Sequence, residues 1–460
     1  MYQRDTIAAI ATPAGMGGIG IIKISGPDAL HTITPLFRSP LFNPASLEKR
    51  HLYFGAIIDP QDSHILDEVL VSYMRAPRTY TCEDVVEINC HSGFVILQKI
   101  LELVLQNGAR LAEAGEFTKR AFLNGRIDLT QAEAVIDVIE AKTEAGLKIA
   151  SRQLHGSLSD KLHALHAALI DCTMHIEAAI DFPEDELETY DSQDVQQQLS
   201  GIIAEMDRLS ATYQEGRLYR LGVNTIIVGK PNVGKSSILN ALLGETRALV
   251  TPFPGTTRDF IQETISIQGI PVVIQDTAGL HEGQDEIDKM GMHLTRSRLS
   301  EAELVLFVID GSQGLDDRDR AIIEEIKGRT VITIINKADL PWQFTVENAR
   351  SLGLTDTVAQ ISALHNQGLD HLKELMYETV LRFPHDSAAE ILITSARQKN
   401  ALDRTLAALH TARTAARDGL PPELIAIDLH AALQALGEIT GQTSTEDILD
   451  RIFSTFCIGK

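Results

Sequence analysis

One short turn, residues 229–236, constrains the fold of this chain more than any other stretch. It reads Gly-Lys-Pro-Asn-Val-Gly-Lys-Ser and matches G-x-x-x-x-G-K-[ST], the pattern of a phosphate-binding loop. Residues 225–228 before it predict a buried strand, and residues 237–243 after it predict a helix. Glycines let the backbone approach phosphate oxygens, and the helix N-terminus adds positive partial charge. The stretch therefore predicts a strand, loop and helix that bind nucleotide phosphates.

Two side chains of this loop have predicted roles in binding and chemistry. We expect Lys235 to reach the β- and γ-phosphates, and the hydroxyl of Ser236 to ligate Mg²⁺. Taken alone, the motif has one alternative interpretation, an ordinary strand–turn–helix that matches the pattern by chance. The motifs that follow it along the chain decide between the two.

Two further motifs come in the order that a guanine-nucleotide switch requires. Residues 255–259 contain Thr257, whose hydroxyl is expected to bind Mg²⁺ when a γ-phosphate is present and so to order its loop. Residues 276–279 read Asp-Thr-Ala-Gly and close a predicted strand. Asp276 is expected to hold Mg²⁺ through water, and the amide of Gly279 is expected to contact the γ-phosphate.

Guanine recognition is predicted at Asn336-Lys337-Ala338-Asp339, which ends the predicted strand of residues 331–335. The carboxylate of Asp339 can accept hydrogen bonds from guanine N1 and from its exocyclic amine. Adenine lacks this pair of donors, so a buried carboxylate would reject it. The motifs together predict a GTPase, whose expected nucleotide contacts are Asn232, Val233, Gly234, Lys235, Ser236, Ser237, Thr257, Asp276, Thr277, Ala278, Gly279, Asn336, Lys337, Asp339, Ser362, Ala363 and Leu364.

The residue that orients the attacking water is not evident from these motifs. Ras-like enzymes place Gln after the glycine of the D-x-x-G motif. Leu280 stands there in this chain and cannot orient water. The acidic candidates nearby also fit ordinary solvated loop charges, and they are Glu282, Asp285, Glu286 and Asp288.

Length, charge and cysteine usage bound the class of protein. A chain of 460 residues suggests about three domains. Its net charge of −22 opposes unspecific binding to phosphate backbones, so a local patch or a partner is needed to hold nucleic acid. The four cysteines form no C-x-x-C pair, which favours reduced thiols in the cytoplasm. Zinc ligation by Cys82 and Cys90 beside His91 is a weak alternative.

The chain predicts a multidomain fold of α/β and α parts. Residues 1–120 predict a mixed α/β domain, with strands at 6–11, 19–25, 53–58, 69–74 and 85–89 and a helix at 94–105. Residues 216–383 alternate strands with helices. Helical spacing of apolar residues characterises residues 121–215 and 384–460, which predicts two halves of one helical bundle around an inserted α/β domain. The stripes are Leu154, Leu158, Leu162, Leu165, Leu169, Cys172 and Ile176; Val195, Leu199, Ile202, Met206, Leu209 and Tyr213; Leu402, Leu406 and Leu409; and Ile425, Leu429, Leu433 and Leu436.

One glycine-rich segment leaves two interpretations open. Glycines stand at positions 15, 17, 18 and 20, between two predicted strands. They fit either a hairpin turn or a close backbone approach to a ligand. The apolar run at residues 304–309 is the longest clean one and is far too short to span a membrane.

Taken together, these motifs resemble the MnmE family, also called TrmE, of tRNA-modification GTPases. The resemblance runs along essentially the whole chain. Its specific marks are residues 6–9, 17–20, 80–84, 115–118, 120–125, 178–183, 229–236 and the tail Phe-Cys-Ile-Gly-Lys at 456–460.

The resemblance implies a fold and a function. The fold has an N-terminal tetrahydrofolate-binding domain that dimerises, a discontinuous helical bundle and an inserted Ras-like P-loop GTPase domain. With an FAD-containing partner, MnmG (GidA), such proteins add an aminomethyl or carboxymethylaminomethyl group to carbon 5 of the tRNA wobble uridine. The one-carbon unit comes from a 5-formyl- or methylene-tetrahydrofolate. GTP-driven dimerisation of the G domains controls the reaction, within a heterotetramer that holds the tRNA largely through the partner.

Resemblance also implies ion ligands and a catalytic acid. K⁺ would be bound by Asn232, Thr251, Thr256 and the carbonyl of Phe253, with Thr251 and Thr256 also among the GTP contacts. A monovalent cation there can neutralise charge that builds between the β- and γ-phosphates. The family's water-orienting Glu falls on Asp288, one methylene shorter, and Glu286 is the fallback. Asp288, Thr257 and Lys235 are thus the expected catalytic residues.

The folate contacts implied by resemblance are Lys23, Glu87, Arg126 and Lys460. A carboxylate can pair with the pterin amine and ring N–H, while basic side chains suit the folate's glutamate carboxylates. Two departures affect this site: Met16, where relatives often carry Arg, and a Cys82 and 89–92 sequence in place of mostly Gly and His. Cys457 matches the family's tail cysteine and is expected to meet the partner or tRNA.

Two other functions remain open at this point. One is a regulatory switch, such as a ribosome-assembly GTPase with similar loops; the other is a stress-linked scaffold with incidental GTPase activity. Ribosome-assembly GTPases usually append an RNA-binding module, whereas this chain has a folate-like N-terminus and the tail. Its 41 basic residues against 63 acidic ones also oppose autonomous RNA binding.

Overall fold

The structure is a computed structural model that describes residues 5–13, 15, 17–47, 51–181, 192–246, 262–276, 299–344, 348, 357–380 and 391–460. The chain divides into two compact units, each discontinuous in sequence. The first comprises Met1–Ile136, Gln153–Leu199 and Ala407–Lys460, and the second comprises Asp137–Arg152 and Ser200–Leu406. Within the described ranges, no helix is long and apolar enough to cross a membrane.

The first unit contains a seven-stranded sheet. Its strands are β1 Ile7–Ile10, β2 Gly20–Ser25, β3 Phe37–Arg38, β4 Leu52–Ile58, β5 Ile65–Met74, β6 Val85–Cys90 and β7 Arg110–Leu111. Their order is β3-β4-β5-β6-β2-β1-β7, antiparallel except for the pair β1 and β7. Because β1 pairs antiparallel with β2, the glycine-rich segment between them is a hairpin connection. Strands lie at all five places that the alternation of apolar residues predicts.

The helices lie in both units, between strands or next to other helices in the sequence. Their bounds are α1 Ala29–Ile33, α2 Phe94–Gln106, α3 Glu116–Leu123, α4 Leu129–Glu140, α5 Glu144–Leu154, α6 Ser157–Asp181, α7 Ser192–Ala211, α8 Tyr213–Leu221, α9 Lys235–Thr246, α10 Asp317–Ile326, α11 Leu369–Val380, α12 Ala396–Arg417, α13 Pro422–Thr440 and α14 Glu446–Phe453.

The apolar stripes bury the faces that their spacing predicts, but two of them run past a helix end. In α6 the buried stripe is Leu158, Leu162, Leu165, Leu169, Cys172 and Ile176. Leu154 belongs to α5, because the chain turns at Gly156, whose φ is +97°. Tyr213 likewise begins α8 rather than continuing α7. Periodicity therefore identifies the buried faces and misses the turns between consecutive helices.

The second unit contains a six-stranded sheet, and helices follow several of its strands along the chain. Its strands are β8 Val223–Val228, β9 Gln262–Ile267, β10 Ile270–Asp276, β11 Leu304–Asp310, β12 Val331–Asn336 and β13 Val358–Gln360. Their order is β13-β12-β11-β8-β10-β9, and all neighbours are parallel except β9 and β10. This is the α/β fold that the alternating pattern predicts.

Both faces of this sheet are buried, which explains the continuous apolar run in β11. Leu304, Leu306 and Val308 lie in the same core cluster as Leu239 of α9 and Leu372 of α11. The intervening residues Val305, Phe307 and Ile309 lie in a second cluster with Ile326 of α10. β8 lies between β11 and β10, so the loop after it leaves the sheet where connections diverge to opposite sides, the usual place for a ligand.

A buried arginine joins three segments of the first unit. Arg120 in α3 is 1% exposed. Its Nη2 donates to Asp5 Oδ1 at 2.5 Å and to Glu116 Oε1 at 2.9 Å. Its Nη1 lies 3.2 Å from Glu83 Oε2. Burial would raise the pKa of Glu116, but hydrogen bonds from Arg110, the Glu113 amide and Arg120 bring it below its ordinary value. The Glu116 carboxylate is therefore favoured and pairs with both Arg110 and Arg120.

Replacing Arg120 with methionine removes the cation shared by Asp5, Glu83 and Glu116, although Arg110 still pairs with Asp5 and Glu116. We expect the free energy of unfolding to fall by about 3–5 kcal/mol, because removing one partner strands buried charge. Urea unfolding measures the change. Arg417→Met is the control, since Arg417 is exposed and pairs with Asp418 at the surface; it should cost less than about 1 kcal/mol. Equal losses in the two variants would show that the cluster contributes nothing special.

Candidate functional site

The phosphate-binding loop connects β8 to α9, as the sequence predicts. Gly229 has φ +154°, Asn232 +66° and Gly234 +99°. A Cβ on Gly234 would lie 2.2 Å from Nδ2 of Asn336, so only glycine allows the two loops to come this close. The loop is therefore shaped both by backbone conformation and by the neighbouring guanine motif.

Lys235 is the first residue of α9 and is almost fully buried. Its Nζ donates to the carbonyls of Gly229 and Lys230, at 2.9 Å each. These contacts fold the side chain back over the loop and place its charge beside the amides that face a phosphate. Ser236 follows in the first turn of the same helix, where the macrodipole favours an anion.

The guanine motif lies at the end of β12, next to the loop after β13. The amide of Asn336 donates from Nδ2 to the Val233 carbonyl at 2.8 Å and accepts at Oδ1 from the Ala363 amide at 3.1 Å. Lys337 has φ +63°, and its Nζ lies 2.6 Å from Asp310 Oδ2. Asn336 thus links the phosphate-binding loop to the segment expected to support the base.

Asp339 is held ready to accept hydrogen bonds. Ser362 Oγ donates to its Oδ1 at 2.5 Å. This hydrogen bond is the main reason that the pKa of Asp339 lies below its ordinary value, so the carboxylate is ionised at neutral pH. Ser362 is fixed in turn by a β-bridge with Gln367. An ionised carboxylate suits the two adjacent N–H donors of guanine.

One open cavity of about 1150 Å³ is bounded by both motifs. Its volume and its polar and charged lining suit a nucleotide. The lining residues are Pro231, Asn232, Gly234, Lys235, Ser236, Ser237, Asn240, Ala241, Gly244, Asn336, Lys337, Asp339, Leu340, Ala363, Leu364 and Asn366. Of the predicted phosphate and guanine residues with described side chains, all line the cavity except Val233 and Ser362, which are buried. The lining also includes residues that the sequence analysis did not single out, namely Asn240, Ala241, Gly244, Leu340 and Asn366.

Several predicted residues fall outside the described part of the chain. Asp276 ends β10, opposite Ile227 of β8, but its side chain is not described. Of the expected K⁺ ligands, Asn232 is described. The remaining predicted residues outside the described ranges are Thr251, Phe253, Thr256, Thr257, Thr277, Ala278, Gly279, Leu280, Glu282, Asp285, Glu286 and Asp288.

A second candidate site lies in the first unit, around Tyr80. Lys23 and Glu87 are direct cross-strand partners on β2 and β6. Lys23 Nζ lies 5.4 Å from the centre of the Tyr80 ring, and Arg126 Cζ lies 4.7 Å from it. Burial lowers the pKa of Lys23, Glu87 opposes the shift, and Lys460 adds to it. All four predicted folate contacts therefore lie in one neighbourhood, where residue-type reasoning had missed Tyr80.

The tail reaches this site by pairing with the segment before α3. Ile458 forms a β-bridge with Ala114, and the Phe117 amide donates to the Lys460 carbonyl at 3.1 Å. A Cβ on Gly459 would lie 2.4 Å from the Ile10 carbonyl, so this close approach requires glycine. Cys457 is exposed. The tail thus brings Lys460 toward Lys23 and leaves the thiol of Cys457 accessible.

The cysteines near residue 90 give no support to the zinc alternative. Burial raises the pKa of the Cys90 thiol to about 11, and its Sγ donates to the Gly20 carbonyl. Zinc prefers the thiolate, which this environment disfavours. Within the ranges that the structure describes, no group of three or more His, Cys, Asp or Glu side chains is placed to hold a metal.

Comparisons with known proteins match the whole length of the chain. The MnmE helical domain model matches residues 129–457, and the model for the GTP-binding protein TrmE N-terminus matches residues 6–126. The tRNA modification GTPase MnmE of Syntrophus aciditrophicus is 48% identical over 461 residues, covering 99% of this chain and 100% of the relative. That of Desulforamulus reducens is 46% identical over 459 residues, covering 99% of each chain.

Among solved structures, the G domain of the T. maritima FeoB iron transporter is similar at 25% identity, covering 34% of this chain and 98% of that chain, with a TM-score of 0.28. The family assignment rests on the sequence relatives, which extend over both units. With a family model over more than half of its residues and relatives at 46–48% identity along its full length, the chain belongs to the MnmE (TrmE) family of tRNA modification GTPases.

Proposed function

We propose that this chain is a GTP-hydrolysing subunit that acts in the modification of tRNA wobble uridines. The observation that carries the proposal is the single cavity bounded by the phosphate-binding loop and the guanine motif. The names of the relatives support the role in tRNA modification, since each is a tRNA modification GTPase. We infer a cytoplasmic location, because a tRNA-modifying enzyme must meet its tRNA substrates.

The described residues account for nucleotide binding and discrimination. Asp339 accepts from guanine N1 and the exocyclic amine, while Ala363 and Leu364 lie along the cavity where the base would rest. Lys235 supplies positive charge at the β- and γ-phosphates, and the amides of the loop and of the α9 N-terminus bind their oxygens. In this arrangement the protein contributes positioning and electrostatic stabilisation.

Two cations fit the residues that line the cavity. Ser236 presents a hydroxyl at the α9 N-terminus, and β10 brings Asp276 to the end of the neighbouring strand, so both would hold Mg²⁺. Asn232 lines the same cavity and offers an amide oxygen, a donor suited to K⁺; Thr251, Phe253 and Thr256 would complete that site. Bound there, the ions neutralise the charge that develops on the phosphates. Asp288 or Glu286 would orient the attacking water, and the hydroxyl of Thr257 would bind Mg²⁺.

The group around Tyr80 would bind tetrahydrofolate. Glu87 presents a carboxylate suited to the pterin amine and ring N–H, while Lys23, Arg126 and Lys460 suit the folate's carboxylates. The Tyr80 ring, which lies near the two cations Lys23 and Arg126, would also offer a flat surface to an aromatic ligand. When bound, the folate would supply the one-carbon unit for the uridine. Cys457, exposed beside this site, would face the partner or tRNA.

The wider assembly belongs to the same proposal. We infer domains at residues 1–120, 121–215, 216–383 and 384–460, a homodimer, and a heterotetramer with MnmG (GidA). The net charge of −22 favours a partner that contributes most of the grip on tRNA. GTP-driven association of G domains would then control the addition of the aminomethyl or carboxymethylaminomethyl group.

Changing Asp339 to asparagine should exchange the base that the site prefers. The asparagine side chain keeps the shape of aspartate but loses the two charge-assisted contacts that the carboxylate would accept from guanine. GTP affinity should therefore fall roughly a hundredfold or more. Affinity for xanthosine triphosphate should rise, because xanthine carries a carbonyl where guanine carries the amine. Calorimetry with both nucleotides measures the exchange, and Asp370→Asn is the control, since its side chain is 96% exposed. Unchanged GTP affinity in Asp339→Asn would remove the guanine assignment.

Potassium should accelerate hydrolysis relative to sodium at the same ionic strength. A site that neutralises charge between the phosphates acts like one added transition-state contact, so the difference should be roughly tenfold or more. Phosphate release in KCl, NaCl and choline chloride measures it, with choline setting the rate without a bound cation. Equal rates in all three salts would remove the potassium assignment and leave the GTPase intact.

Cells that lack this protein should lose the proposed modification at carbon 5 of the wobble uridine. The physical reason is that the folate bound by this chain would supply the carbon unit, so its loss removes the donor. Mass spectrometry of nucleosides from purified tRNA gives the profile, and the wild-type gene supplied in trans serves as the control. A profile unchanged by the deletion would contradict the tRNA function while leaving GTP hydrolysis standing.

A further inference from the structure

Lys230, the second residue of the phosphate-binding loop, is held by a helix outside that loop. Its Nζ lies 2.9 Å from Asp319 Oδ2 and 3.3 Å from Asp316 Oδ2, and the side chain is 11% exposed. Asp316 caps the N-terminus of α10, and Asp319 lies in the first turn, where the two form a reciprocal capping box. The ion pairs therefore fasten the loop to the beginning of α10.

Asp319 is fully buried and relies on this lysine for its counter-charge. Its side chain is 0% exposed, and Oδ2 accepts from Lys230 and from the Asp316 amide at 3.1 Å. Oδ1 has no hydrogen-bond partner among the described residues. A buried carboxylate is tolerated when a cation compensates it, so the position of Asp319 restricts where Lys230 can lie.

The same loop residues hold the lysine that would contact phosphate. The carbonyl of Lys230, together with that of Gly229, accepts from Lys235 Nζ. Lys230 thus contacts Lys235 through its backbone and Asp319 through its side chain. A displacement of Lys230 would move an acceptor that places the charge of Lys235.

The guanine motif is anchored on the same part of the sheet. Lys337 pairs with Asp310 at the end of β11, and the amide of Gly311 donates to the Asn336 carbonyl at 2.9 Å. Residues 311–316 run from this point to α10. Ion pairs of two lysines, Lys230 and Lys337, therefore attach the phosphate-binding loop and the guanine motif to one connection, residues 310–319.

We propose that Lys230 is a positioning residue for phosphate binding, and that its pair with Asp319 fixes the loop against the β11–α10 connection. The proposal rests on the guanine-nucleotide site proposed above. Because the loop holds the phosphate common to GDP and GTP, loosening it weakens the binding of both nucleotides alike. Because the Lys230 carbonyl also places Lys235, which is among the expected catalytic residues, turnover of bound GTP slows as well.

Lys230→Met removes the charge while keeping most of the side-chain volume. Affinity for GDP and for a non-hydrolysable GTP analogue should each fall at least tenfold, which is about 1.4 kcal/mol. The kcat at saturating GTP should also fall, and Lys230→Arg should recover most of the affinity and of the rate. Lys327→Met is the matched control, because that lysine follows α10 and its side chain is 75% exposed. Calorimetry and steady-state phosphate release give the readings.

A second variant separates loop placement from misfolding, since Lys230→Met strands the Asp319 carboxylate. Lys230→Met combined with Asp319→Leu removes both charges and should recover the stability lost in the single variant. Weak GDP binding by this stable double variant supports a positioning role, whereas binding as tight as the wild type overturns it. Wild-type protein that fails to bind GDP would instead overturn the proposed function.

Discussion

The side-chain amide of Asn336 is the contact on which the nucleotide site depends. It donates to the phosphate-binding loop at Val233 and accepts from Ala363, so one planar group fixes the distance between that loop and the loop after β13. Gly234 makes the contact possible, because any side chain there would displace the amide. Core strands buried on both faces support the three loops that carry Val233, Asn336 and Ala363.

Local patterns in the sequence predicted much of this arrangement. The phosphate-binding loop and the guanine motif can be recognised in the sequence, because each consists of consecutive residues at the end of a strand. Strands in the first unit follow the alternation of apolar residues, and the bundle helices follow the 3.6-residue period. Leu154 and Tyr213 show where periodicity alone was insufficient, since the stripe continued in register across a turn.

Other features depend on contacts between distant parts of the chain. In the sequence, Arg120 looks like an ordinary helical arginine, because Asp5 and Glu83 contact it only in the folded chain. Tyr80 occupies a family motif, but nothing in its neighbours indicates that two cations will meet its ring. The partners of Lys230 are likewise invisible in a motif that specifies only glycines, one lysine and a hydroxyl. Pairings of this kind are set by tertiary structure.

The docked tail has a consequence for synthesis. Ala114 pairs with Ile458, and the Phe117 amide donates to Lys460, so the group around Tyr80 is closed by contacts that span more than three hundred positions. The ribosome makes the first sheet early, and that sheet must wait for residues 457–460 before its ligand neighbourhood is complete. A nascent chain released early would therefore lack the contacts that complete the group around Tyr80.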